Sequence, residues 1–137
     1  MFAKTVTYED YNGVERTETF YFNLTKAELS EMELTTEGGM ANMLTRLTKE
    51  KDTTTIAKIF KDLILKSYGE KSDDGKHFIK DPDRSKMFSY TPAYDIIFCE
   101  LISDSEVAAA FATGIMPKDL AKQINSAEIK DQLKTLQ

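Results

Sequence analysis

Few side chains in this sequence could carry chemistry. It holds one histidine and one cysteine, His77 and Cys99, which the surrounding pattern places in a turn and a helix respectively. A structural zinc cluster needs several thiolate or imidazole ligands, and a histidine-rich catalytic site needs more than one ring, so neither can be assembled within one subunit. His77 could act as a general base only with a carboxylate to orient it and a nucleophile beside it, and the sequence places neither there. The acidic pairs Asp73-Asp74 and Asp81/Asp83 lack the alternating ligand positions and closing glutamate of a calcium loop, and read as solvated turn carboxylates. No Gly-x-Gly-x-x-Gly or Gly-x4-Gly-Lys-Ser/Thr run supplies a phosphate cradle. The expectation is a protein that is not an enzyme, with no catalytic, metal or cofactor residues. Cys99 cannot pair within the chain, and its apolar neighbours point to packing rather than reactivity.

Composition narrows the classes further. With 137 residues, 41% hydrophobic and 30% charged, the chain matches one ordinary domain that buries about two thirds of its unfolded surface. Its apolar runs are far shorter than the roughly twenty residues that cross a bilayer, and Met1 to Thr5 lack the basic-then-apolar order of a signal segment. A cytoplasmic protein without a membrane partner is expected. The net charge of −5 is uneven: residues 1–37 hold eight acids and three bases, whereas 38–137 hold fifteen of each. Nucleic-acid binding starts from a basic patch that neutralises phosphates, and none is present, nor is a basic recognition helix.

The elements that would position any functional surface can be read in order. FAKTVTY and ETFYFNL are rich in β-branched and aromatic residues around Asn12-Gly13, which predicts a hairpin. A two-residue loop would put Val6 opposite Thr19. Gathering Phe2, Val6, Phe20 and Phe22 on one face instead needs an odd-length loop that takes in Tyr11. Thr25 and Glu28 form a capping box, with Leu24 placed to staple against Leu29, so a helix starts there and stops near Thr35. Met40 to Lys51 repeats apolar residues at helical spacing, and Ile56, Ile59, Phe60, Leu63 and Ile64 do so more strongly up to Gly69. Residues 69–81 read as a surface turn or a small second hairpin with His77-Phe78-Ile79 as one strand. A short helix follows Pro82, and a longer one opens at Thr91-Pro92 with Tyr94, Ile97, Phe98, Leu101 and Ile102 on one stripe. Ser103 with Glu106 can cap the next helix, which ends at Gly114. The last residues carry a thin stripe of Leu120, Ile124, Ile129, Leu133 and Leu136.

The predicted architecture is α+β and predominantly α-helical, with an N-terminal β-hairpin packed on a compact multi-helix core. Residues 1–117 form one domain, with the hairpin in 1–24 and the helical core in 25–117, and residues 118–137 form an amphipathic helical tail. Aromatic side chains such as Phe20, Phe22, Phe88, Tyr90, Tyr94 and Phe98, with six methionines, supply apolar surface adaptable to a partner.

Two separated segments, DYNGVERTETFYFNLTKAELSEMEL and AYDIIFCELISDSEVAAAFATGIMP, resemble tail assembly chaperones encoded by siphoviruses and prophages of Gram-positive bacteria. The likeness spans roughly residues 5–117. It implies a non-enzymatic protein that coats the long, helical, aggregation-prone tape measure protein in the host cytoplasm. Tail tube protein then polymerises around that target and displaces the chaperone, which is therefore not expected in the mature virion. The tube protein and further copies of the chain are additional partners the resemblance allows. On this basis the corner around Phe98, Leu101, Phe111, Ile115 and Met116 is the expected partner-binding surface. A structural virion component, such as a head–tail connector or minor tail protein, is the alternative: it would also be small, acidic and free of catalytic motifs, but would remain in purified particles.

Overall fold

The computed structural model describes residues 1–35 and 53–118. Strands β1 (Phe2–Glu9) and β2 (Glu15–Phe22) form the N-terminal hairpin, followed by helices α1 (Lys26–Thr35) and α2 (Thr53–Ser67). Two short strands, β3 (Tyr68–Lys71) and β4 (Phe78–Ile79), come next. Helices α3 (Pro82–Ser89), α4 (Pro92–Ser103) and α5 (Ser105–Gly114) complete the described chain. The helix expected from Met40 to Lys51 and most of the expected tail over 118–137, with all of its apolar stripe, lie outside the described residues.

The hairpin register is the odd-loop one. Phe2 pairs with Phe22, Val6 with Glu18 and Glu9 with Glu15, which leaves residues 10–14 as the loop. Asp10 closes it: its backbone N–H donates to the Val14 carbonyl at 2.8 Å, and its Oδ1 accepts from the N–H groups of Asn12 and Val14. Gly13 takes φ 79° there, a conformation that favours glycine. With this register Phe2, Val6, Phe20 and Phe22 share the inner face. The outer face carries paired threonines, Thr5 with Thr19 and Thr7 with Thr17, each hydroxyl pair 2.9 Å apart.

The fold is α+β, and the expectation of a predominantly helical protein is corrected; of the two readings of residues 69–81, the small second hairpin with Phe78-Ile79 in a strand is the one that forms. Among the described residues, an antiparallel sheet of four strands runs in the order β1-β2-β3-β4. Helix α2 passes into β3 with no intervening loop, and Tyr68 and Gly69 pair with Phe22 and Tyr21 of β2. Strands of two and four residues show no readable alternation; β3 persists because the free edge of β2 gives its backbone groups partners, and β4 because β3 in turn does so for it. Helix α2 ends at Ser67, close to the end read at Gly69, and Gly69 also serves this junction: a Cβ there would sit 2.6 Å from the Phe78 ring and 2.7 Å from Lys80 Cγ.

One hydrophobic cluster joins hairpin and helices. Its fully buried members include Phe22, Leu24, Phe60, Leu63, Ile64, Ile97 and Leu101. Phe22 is the meeting point of the aromatic rings, with Phe2, Tyr68, Phe88 and Phe111 at centroid distances of 5.7 to 6.3 Å. Polar ties lock the layers. Lys4 Nζ of β1 reaches Glu100 of α4 at 2.9 Å, and Ser85 Oγ of α3 donates to the Leu65 carbonyl of α2 at 2.8 Å. Lys80 Nζ donates to the Asn23 and Lys66 carbonyls and pairs with Glu28. The capping box stands as expected, with Thr25 N–H donating to Glu28 Oε1 at 3.0 Å and Glu28 N–H to Thr25 Oγ1 at 3.1 Å.

Candidate partner-binding site

Helices α4 and α5 meet at Asp104, and this residue, not Ser103, caps α5. Asp104 Oδ1 accepts from Glu106 N–H at 2.9 Å and from Val107 N–H at 3.4 Å, whereas Ser103 Oγ turns back to donate to the Cys99 carbonyl at 2.6 Å. At the head of α4, Thr91 Oγ1 accepts from Tyr94 N–H at 3.1 Å with Pro92 in the first helical turn, as its sequence suggests. These caps fix where the apolar stripes of the two helices face.

They face inward. Of the five residues expected at a contact surface, Leu101, Phe111, Ile115 and Met116 are buried in the common core. Phe111 packs edge-on against Phe2 at 5.5 Å. Gly114, one residue before Ile115, abuts the same ring so closely that an added Cβ would lie 2.9 Å from it. The Ile115 carbonyl accepts from Leu24 N–H at 2.7 Å, tying the end of α5 to the end of the hairpin. Phe98 alone of the five is half-buried, stacked on Tyr94 at 5.9 Å. Tyr94 in turn meets Phe88 edge-on at 5.7 Å, and the burial of its ring pushes its hydroxyl pKa up.

That row of rings leads to a second feature, an open groove of about 590 Å³ between the hairpin, β3 and α3. Phe20, Tyr68 and Phe88 form its apolar part, Tyr68 lying flat on Phe88 at 4.1 Å. Glu18, Glu70, Asp81 and Asp83 bring four carboxylates to its lining, against one guanidinium, that of Arg84. Asp81 caps α3 by accepting from Arg84 N–H at 2.8 Å, and this bond holds its carboxyl below the usual range. The Arg84 side chain is itself engaged, with Asp81 and, at 3.5 Å, Glu70. Tyr8 donates its hydroxyl to Glu18 at 2.6 Å, and this bond, then burial, raises its pKa. Met87 lines the groove 65% exposed, and Tyr90, beside the lining residue Thr91, is 58% exposed.

No local pattern marks this groove, because its lining comes from β1, β2, β3, α3 and the loop residues Asp81 and Thr91. Asp81 and Asp83, expected to be solvated turn carboxylates, instead serve as the N-cap and a first-turn residue of α3, with Asp81 paired to Arg84. Cys99 is exposed on α4, contrary to the packing expected of it, with Sγ 3.9 Å from Asp95 Oδ1. His77 is exposed at the end of the β3–β4 turn, its N–H donating to Ser72 Oγ at 3.0 Å. Among the described residues no three of His, Cys, Asp and Glu come together as a metal site would require, and no helix is long and apolar enough to cross a membrane.

What the described geometry offers is surface for a macromolecule: a half-buried aromatic row and a carboxylate-lined groove with exposed apolar side chains at its edge. No curated protein and no solved structure matches the chain. A family model does, over residues 1–137, and its description is phage tail assembly chaperone. A chaperone of tail assembly works by contact with tail proteins and points to a non-enzymatic role. On this match, across the whole sequence, the chain belongs to the phage tail assembly chaperone family.

Proposed function

We propose that this chain binds the tape measure protein of its phage and keeps it soluble in the host cytoplasm until tail tube protein polymerises around it, and that it is displaced before the virion is complete. The observation that carries the reading is the family match over the full sequence. The surface is in keeping with it. A long helical target without its tube exposes apolar stripes, and such stripes are covered by aromatic and methionine side chains that adapt to varied partners. Among the expected contact residues, Phe98 is the one a partner reaches in the folded chain, through its exposed edge. Leu101, Phe111, Ile115 and Met116 stand behind it and would meet a partner directly only if α4 and α5 parted. Many weak contacts along one long target give strong binding in sum while leaving each copy displaceable.

Co-expression tests the reading. The tape measure protein of the same phage is produced with and without this chain, and its soluble yield and co-purification are compared. A gain in soluble yield with a co-purifying complex is expected, as is absence of the chain from purified particles. No gain and no complex, with both proteins folded and the chain retained in particles, would replace the chaperone reading with that of a structural virion component.

A further inference from the structure

The groove combines two properties that together specify an occupant. Its floor is apolar, formed by Phe20 and Phe88 of the core with the half-buried Tyr68, and Met87 of its lining stands largely in solvent. Its charge is one-sided. The guanidinium of Arg84 is engaged by Asp81 and Glu70, so among the described residues Glu18 and Asp83 leave the lining negative. We propose that this groove receives a lysine- or arginine-bearing amphipathic segment of the tail protein that the chain chaperones; the identity of that partner rests on the function proposed above.

The chemistry favours this occupant over others. The exposed Met87 and the half-buried Tyr68 take apolar residues of a partner, while the flanking carboxylates take the cations that border them. An acidic segment or a phosphate backbone meets like charge at the same place and is rejected. Ion pairs at the rim of an interface act mainly through association and register, so the binding should weaken as salt rises.

The test uses the full chain, isotope-labelled, and a synthetic amphipathic helix of leucine and lysine, with a leucine–glutamate helix as its counterpart. Amide shift changes centred on Glu18, Glu70, Asp83 and Met87 are expected with the lysine peptide and not with the glutamate one. The combined variant Glu18→Gln, Asp83→Asn should bind about tenfold more weakly, and these near-isosteric changes should leave the thermal unfolding midpoint close to the parent. Shift changes centred elsewhere, or equal binding of both peptides, would overturn the proposal. The same variant is then co-expressed with the tape measure protein. Undiminished co-purification would refute the groove while the chaperone reading stands. Groove binding of the peptide without any tape measure complex for the parent chain would instead sink the chaperone reading and, with it, the identity assigned to the partner.

Discussion

Single positions carry roles that their residue types alone do not announce. Gly69 has an ordinary backbone, and its lack of a Cβ matters because the Phe78 ring and Lys80 Cγ occupy that space. Gly69→Ala should therefore lower stability by about 1–3 kcal/mol through overpacking, read from the urea midpoint, while a change at the solvent-facing Gly75, where nothing lies within 4 Å of a built Cβ, acts only through its positive φ. The cap of α5 separates two neighbours in the same way. Ser103 and Asp104 both suit a helix start, but Asp104 accepts the two N–H bonds, and Ser103 donates to a carbonyl of α4. Asp104→Ala should cost about 1 kcal/mol and Ser103→Ala less than half of that. A larger loss for Ser103→Ala than for Asp104→Ala in chemical denaturation would put the cap back at Ser103.

Elements were legible where a local rule governs them and hidden where a distant segment does. Thr25 with Glu28, Thr91 with Pro92, and the Tyr94 to Ile102 stripe each act within one or two turns of helix, and each forms as its spacing implies. Strand β3 could not be seen in this manner: Tyr68-Gly69-Glu70-Lys71 becomes a strand because β2, more than forty residues earlier, offers an edge. The groove is illegible for the same reason, since its carboxylates come from β2, β3, α3 and the loop residue Asp81 and meet only in the fold. The hairpin lies between the two cases. Asn12-Gly13 marks its turn, but the register follows from Asp10, whose carboxylate accepts two loop N–H groups and pairs with Arg16 at 2.6 Å. The Arg16 bond, followed by that from Val14, lowers the Asp10 carboxyl pKa below 3.8. A carboxyl whose folded pKa is depressed adds stability that is present above its unfolded value and lost as pH falls through the folded one. Asp74, held down by the Ser72 hydroxyl, and Asp81, by the Arg84 N–H, act in the same direction. Stability should fall below about pH 4, and Asp10→Asn should flatten part of that fall. Unfolding midpoints measured from pH 6 to 2.5 check it, and parallel curves for parent and variant would remove Asp10 from the acid response.

At the scale of the whole molecule, packing and partner binding draw on the same aromatic residues. Phe22 gathers rings from β1, β3, α3 and α5, and the row continues through Phe88 and Tyr94 to Phe98, which reaches the surface. A substitution along this row therefore acts on folding or on contact according to depth. Phe111 is fully buried and held against Phe2 and Phe22, so Phe111→Asp strands a carboxylate among rings. The cost of an unpaired buried charge is comparable with the whole stability of a small domain, about 5–15 kcal/mol. Phe98 is half-buried, and Phe98→Asp can turn its carboxylate to water. The expected outcome is loss of the native circular dichroism spectrum and of cooperative melting for Phe111→Asp, against a folded Phe98→Asp with a lowered midpoint. Failure of Phe111→Asp to solubilise the tape measure protein would then report a lost fold, whereas failure of a folded Phe98→Asp would report a lost contact. A folded, cooperatively melting Phe111→Asp would mean that α5 lies less tightly against the hairpin than the Phe2–Phe22–Phe111 cluster implies, and would make the α4–α5 corner openable to a partner.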